Sequence, residues 1–341
     1  MNFLVNSVPF KLSAIRQAGA VSLLRSAKML SLTAKFYRAY LMKREISIGF
    51  IAAMAAFILR AYASGYLVPL SITNLVNYLQ RGDGLGLRRA LFMMALAAAI
   101  YGATEWLYRP FWVSIVKGIS EIKLRLVNGL RKSGDPSDVV GRVANDVDFV
   151  MWNVGGMYTT FVPNLLTAAT AAVTVWELSP FIGALTVAAM PLSLAILEPY
   201  LAGVERARSV ERKYYSDMIH RIETLLRGES PESEVLGSIT KWQHGMVKQV
   251  HYDRVFWSLS LLYGYGLPAL MAFVGVQQVR SGRLSIGGLT GMIYALYNVF
   301  PPLINAMWGL CILGQSMVPI MRILELSGKG GVAETKALAA K

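Results

Sequence analysis

Cysteine is almost absent from this chain. Cys311 is the only one among 341 residues, which excludes an internal disulfide and leaves the redox compartment unread. Histidine is nearly as scarce. His220, His244 and His251 fall in one charged stretch without zinc-like spacing, so surface residues and no metal site are expected. Charge is thin: 16% of residues are Asp, Glu, Lys or Arg, against 55% hydrophobic, too little polar surface to cover a soluble globule of this length. Acid is missing altogether from residues 1–44, which carry eight basic ones. No G-x-x-x-x-G-K-[ST] occurs, and the tail SGKGGVAETK (327–336) has neither the spacing nor a preceding strand for a phosphate-binding loop. No catalytic residues are expected, and the chain is not expected to be an enzyme by itself.

What the chain does have is long apolar runs. They cover roughly Ile46–Val76, Ala90–Val116, Val150–Glu177, Pro180–Val204, Val255–Val279 and Ile286–Val318. Each is about 20–30 residues, enough to cross a hydrocarbon core of roughly 30 Å as a helix. The expected fold class is an all-α membrane protein with six transmembrane helices. A net charge of +14 raises the question of nucleic acid, but its placement argues for a membrane and against a nucleic-acid partner. Lys and Arg crowd the N-terminal arm, Lys117–Arg142 and Arg206–Arg254. The positive-inside rule makes these regions cytoplasmic, with both termini inside and short outer turns at 80–86, 178–180 and 280–285. Arg81, Arg88, Arg89, Arg280 and Arg283 lie near those turns and run against the rule. The cell membrane is the expected location, an organellar inner membrane the alternative.

Three segments organise the chain: an arm at 1–44, a membrane domain at 45–326 and a flexible tail at 327–341. The arm reads as a basic amphipathic helix on the cytoplasmic membrane face, with Leu12, Ile15, Leu23, Ala27 and Leu30 toward lipid. An organellar transit peptide has a similar composition. Inside, helical patterning continues past the apolar runs through Lys117–Lys132 and Glu205–Arg221, which predicts long cytoplasmic extensions. Gly134 and Pro136 interrupt the first of these. Ser137 can then cap a short helix whose first turn holds Asp138. Val139, Val143, Val147 and Val150 share one face, and Arg142, Asn145, Asp146 and Asp148 lie off it. A short capped helix at the far end of a stalk suits docking by another protein.

The exact string carries more. SDVVGRVANDVDFV (137–150) resembles the first intracellular loop of ATP-binding cassette (ABC) exporters, where G-x-[LV]-x-x-R-[LV]-x-[NS]-D-[VT] surrounds the first coupling helix. GRLSIGGLTGMIYALYNVFPPL (282–303) and QSMVPIMRILEL (315–326) are similar to that family's last span, which opens on G-x-L-[ST]-x-G-x-L and closes on R-I-[FL]-E-L just before the ATPase. The resemblance covers about residues 45–326. It implies the six-helix, type IV-like exporter fold with short coupling helices, and a dimer with an identical or related membrane subunit. It also implies a separate nucleotide-binding ATPase, or an ATPase domain outside this chain, carrying the ATP and magnesium; no cofactor is expected on this chain. Ser137, Asp138, Arg142, Asn145, Asp146 and Asp148 would dock that ATPase. In the second loop the family's glutamate, apolar residue, glycine pattern is broken: in IETLLRGESPESEVLGSITKW (222–242), Glu223 is out of register with Gly228. His220–Arg227 is read as the second coupling helix, with Arg221, Glu223 and Arg227 as contacts.

Polar stripes mark a candidate pathway. Tyr294, Asn298, Pro301, Asn305 and Trp308 share one face of span six, extended by Gln315; Tyr62, Tyr66, Pro69, Thr73 and Asn77 share one of span one. Such faces turn into the bundle or a wet cavity, or hydrogen-bond neighbouring helices. Within the apolar runs, Glu105 and Arg109 are spaced to pair along span two. Arg60 would cost at least ~2.5–3.5 kcal/mol alone, so it needs a partner, with Glu105 one candidate, or contacts substrate. Glu198 sits where it can reach water. The expected function is the permease subunit of an ATP-driven exporter. The alternatives are a gradient-driven carrier or channel without an ATPase, and a membrane-embedded enzyme, for which no clustered acid–base or metal set is visible.

Overall fold

A computed structural model describes residues 31–130, 146–229 and 231–326, and among these every regular element is a helix. After a helical stretch at 31–36 and a π-helical turn Tyr37–Leu41 come α1 (Arg44–Tyr62), a second π-turn (Ala63–Leu67), α2 (Val68–Arg81), α3 (Gly84–Leu107), α4 (Arg109–Leu130), α5 (Val147–Leu178) and α6 (Pro180–Ala189). Then follow α7 (Leu192–Leu226), α8 (Glu232–Leu261), a third π-turn (Leu262–Gly266), α9 (Leu267–Arg280), α10 (Ile286–Tyr297), α11 (Phe300–Gln315) and α12 (Met317–Leu326). Six helical segments are long and apolar enough to cross a membrane: Arg44–Arg81, Gly84–Val127, Val147–Leu178, Pro180–Leu197, Glu232–Arg280 and Ile286–Gly314. This is the build of a multi-pass membrane protein.

The turns fall where the sequence places them. Gly82, at φ 67°, ends α2, and the Asp83 carboxylate accepts from the Leu85 and Gly86 amides to start α3. Ser179 and Ser285 cap α6 and α10 in the same way. These caps satisfy amide groups that a helix start leaves without partners. The interruptions inside spans have one common cause. The π-turns precede Pro69 and Pro268, and the breaks at Tyr108, Met190, Val299 and Ser316 precede Pro110, Pro191, Pro301 and Pro319. Proline lacks an N–H and crowds the carbonyl four residues back, so the helix widens or restarts. At the second π-turn, Thr174 donates to the Gly65 carbonyl at 2.6 Å and Thr170 to that of Ala61, just before it, at 2.9 Å, satisfying carbonyls where the helix is distorted. Gly65 allows this approach, because a Cβ there would collide with Thr170.

By packing, the chain divides into two compact units, one spanning Pro191–Tyr263 and the other the remaining described residues. In the larger unit, Phe50 meets Phe111 and Tyr158 at 5.0 Å between ring centroids, and Phe57 meets Tyr158 at 5.4 Å. Each such pair contributes about 0.5–1.5 kcal/mol beyond area burial. The same core takes in Phe36, Tyr40 and Leu41, all essentially inaccessible, with Ile320 and Ile323 of α12. Residues 36–41, at the end of the arm segment, are therefore packed inside the protein. Residues 1–30, including Leu12 to Leu30, lie outside the described residues, as do 131–145 and 327–341.

The smaller unit is the α7–α8 hairpin. Tyr200 stacks on Phe256 at 4.3 Å and donates to Asp253 at 2.8 Å. Gly203 leaves room for the Tyr252 ring. At the apex Gly228, at φ 74°, closes α7; its amide and that of Glu229 bond back to Leu225 and Thr224, both at 2.9 Å. Pro231 then starts α8. His220–Arg227 is accordingly no separate coupling helix: residues through Leu226 complete α7, because nothing breaks the helix before Gly228.

Candidate functional site

Arg60 on α1 reaches Glu105 on α3, with Nη1 to Oε1 at 2.5 Å. Its guanidinium also lies over the Tyr101 ring at 5.0 Å and the Tyr108 ring at 6.0 Å from the centroids. Arg60 thus has the partner a charge in an apolar run requires. The two residues are equally far in sequence from the Gly82–Asp83 turn, so the antiparallel hairpin brings them level. Among the described residues no ion pair joins Glu105 to Arg109. The helix is interrupted at Tyr108 between them, and the Glu105 carboxylate is turned to α1 instead.

The stripe on span one divides in two. Tyr62 and Tyr66 stack at 5.3 Å and line a groove of about 210 Å³ with Asn74, Tyr78, Arg89 and Met93. Tyr66 also lies within electrostatic range of Glu177 of α5. Pro69, Thr73 and Asn77 do something else. Thr73 donates to the Pro69 carbonyl at 3.0 Å, and the backbone around them packs on Gly287 and Gly291 of α10. That half of the stripe is helix–helix packing through a small-xxx-small ridge, Gly287, Gly291 and Ala295. The ridge was legible in the sequence and missed there.

On span six Tyr294 is part-exposed, and Asn298, where α10 ends, donates to the Tyr294 carbonyl at 2.9 Å. Asn305 is exposed and Trp308 half-buried on α11. The Tyr294 phenol lies within electrostatic range of Tyr101, the residue that also faces Arg60. Tyr101, not singled out from the sequence, thus neighbours both Arg60 and Tyr294. The side chains of Gln315 and Glu198 lie outside the described ones.

Of the residues read as docking contacts, Ser137, Asp138, Arg142 and Asn145 lie outside the described residues. Asp146 is 3.8 Å from Arg322 of α12, and Asp148 pairs with Lys123 of α4 at 2.9 Å. Arg221 is held by Asp217 at 3.1 Å and, across the hairpin, by Glu234 at 2.6 Å. Glu223 and Arg227 are exposed, and Leu226 beside them is 81% exposed.

A second charged cluster was not anticipated. Gly84–Val127 is a helical run of 44 residues, about 66 Å at 1.5 Å per residue, so its charged end extends well beyond a core of roughly 30 Å. There Glu121 binds Lys43 at 2.7 Å and Arg125 at 2.8 Å. Arg125 donates to the Ala39 carbonyl at 3.1 Å, and Tyr40 donates to the Ile323 carbonyl at 3.3 Å. Residues 31–45 are in this way strapped to α4 and α12. Among the described residues no three His, Cys, Asp or Glu side chains come together to hold a metal.

No protein-family model matches the chain, and no curated protein matches it.

Proposed function

We propose that this chain is the membrane-spanning permease subunit of an ATP-driven exporter of the ABC type, coupled to a separate nucleotide-binding ATPase. One observation carries the reading: the two stretches that resemble that family are joined. Asp146, in SDVVGRVANDVDFV, faces Arg322, in MRILEL. In such exporters the first stretch docks on the ATPase and the second leads toward it, so a tie between them lets one movement act on both. The long charged end of Gly84–Val127 and the exposed apex of the α7–α8 hairpin supply the reach that such coupling needs.

In this reading two membrane subunits, identical or related, form the pathway, and both termini lie in the cytoplasm at the cell membrane. ATP and magnesium bind the partner chains. Their closure pushes residues 137–148 and the hairpin apex, and the subunits switch between inward and outward states as rigid bodies. Arg60, Tyr62, Tyr66, Tyr294, Asn298, Asn305 and Trp308 face the transported molecule, with Tyr101 near Arg60 and Tyr294. A gradient-driven carrier is favoured by one feature, the Arg60–Glu105 pair, since ionisable couples in apolar runs also serve proton-driven transport.

The two readings separate at the hairpin apex. A photoreactive amino acid placed at Glu229, an exposed position, is expected to cross-link in native membranes to a chain carrying a G-x-x-x-x-G-K-[ST] loop. Adducts only with lipid or with this chain would contradict the exporter.

A further inference from the structure

We infer that the groove between α2 and α3 holds the phosphate headgroup and upper chain of an anionic lipid from the leaflet beside the Gly82–Asp83 turn. Arg88 and Arg89 are both exposed just before the apolar run that begins at Ala90, which puts them at headgroup level. Only Arg89 lines the groove. Among the described residues no carboxylate pairs with it. The nearest acid in sequence, Asp83, already accepts two amides at the start of α3. A guanidinium with five donors and no anion, next to an apolar wall, is matched by a phosphate or carboxylate oxygen pair.

The rest of the lining sets the chemical class. Tyr62, Tyr66 and Tyr78 line it with aromatic rings that end in a polar hydroxyl, Asn74 adds an amide, and Met93 an adaptable apolar side chain. Gly86 makes room for the Tyr78 ring, since a Cβ there would strike it. The arrangement is therefore polar and cationic at one level and aromatic to apolar along the rest, the pattern of an amphiphile. A volume of about 210 Å³ is below the usual range for a drug-sized ligand, roughly 300–1,000 Å³. It fits a headgroup and the first part of a chain while the remaining acyl groups stay in the bilayer. The site does not depend on the exporter reading, although its occupant would share Tyr62 and Tyr66 with the candidate pathway.

The test uses the full chain in mild detergent, titrated with phosphatidylglycerol, phosphatidylcholine or inorganic phosphate and read by native mass spectrometry. Phosphatidylglycerol is expected to bind and phosphatidylcholine to bind much less. Arg89→Gln should weaken phosphatidylglycerol binding by roughly tenfold, the loss of one charge-assisted contact. Arg88→Gln, which removes an adjacent charge outside the groove, should leave binding unchanged. Met93→Trp, which fills the groove, should weaken it with both arginines present. Inorganic phosphate at equal concentration should not displace the lipid. Equal loss in the two arginine variants would show a diffuse surface charge and overturn the site. Displacement by phosphate alone would make it a free-anion site, and equal binding of both lipids would remove the role of Arg89; either overturns the proposal.

Discussion

Arg60 illustrates how far single residues can be read. An arginine within a long apolar run announces a need for a partner, and that need is met by Glu105 at 2.5 Å. The partner was harder to choose, because depth estimated from the edges of apolar runs sets the two residues apart. Counting from the shared Gly82–Asp83 turn would have placed them level, and the interruption at Tyr108 removes the competing Arg109. Removing one member leaves the other charge without compensation in a setting where that costs about 2.5–3.5 kcal/mol on insertion scales. Both Arg60→Gln and Glu105→Gln should therefore lower the thermal midpoint of the detergent-solubilised protein. The double variant should recover part of the loss, with a coupling of about 1–3 kcal/mol in a double-mutant cycle. Additive losses would mean the pair contributes nothing as a pair.

At the scale of elements, apolar length and turn composition made six spans and their short turns legible, and the structure adds the caps Asp83, Ser179 and Ser285. The prolines were legible as well: each π-turn or break inside a span lies just before one, yet hydrophobic runs alone suggest uninterrupted helices. Two features were not readable from patterning. Phe36, Tyr40 and Leu41 carry no sequence pattern that marks them as core, and only the packing of α4 and α12 around them shows that they are. The polar stripe of span one looks uniform, but Gly287 and Gly291 on a distant helix claim its lower half. The α2–α10 contact gives a direct test. A Cβ at Gly291 would run into Thr73 and the Pro69 carbonyl, whereas Gly102 on α3 has open space around it. Gly291→Leu should destabilise the folded protein by at least the ~1–3 kcal/mol typical of overpacking, read as a lower midpoint and reduced yield. Gly102→Leu should be neutral or mildly stabilising, since it replaces a poor helix former. Similar effects at both positions would contradict the packing described for α2 and α10.

For the whole molecule, the chain combines apolar helices able to cross a membrane with charged helix ends that exceed what crossing requires. The charged ends are not loose. Glu121, Arg125, Asp146, Asp148 and Arg322 tie the arm, α4, α5 and α12 together, so a push delivered near residues 137–148 would move a connected body. In the proposed exporter such a linkage would carry a partner's movement to α4, α5 and α12. The substrate is not legible in the sequence, because aromatic and amide groups on helix faces serve packing as well as transport. The most direct measurement is purification of the protein from its native membranes in mild detergent, with the co-purifying chains identified and vanadate-sensitive ATPase activity assayed. The account predicts a stoichiometric nucleotide-binding subunit whose ATPase is uncoupled or lost when Arg142 and Asp146 are replaced. A homogeneous preparation of this chain, free of any ATPase, would contradict it.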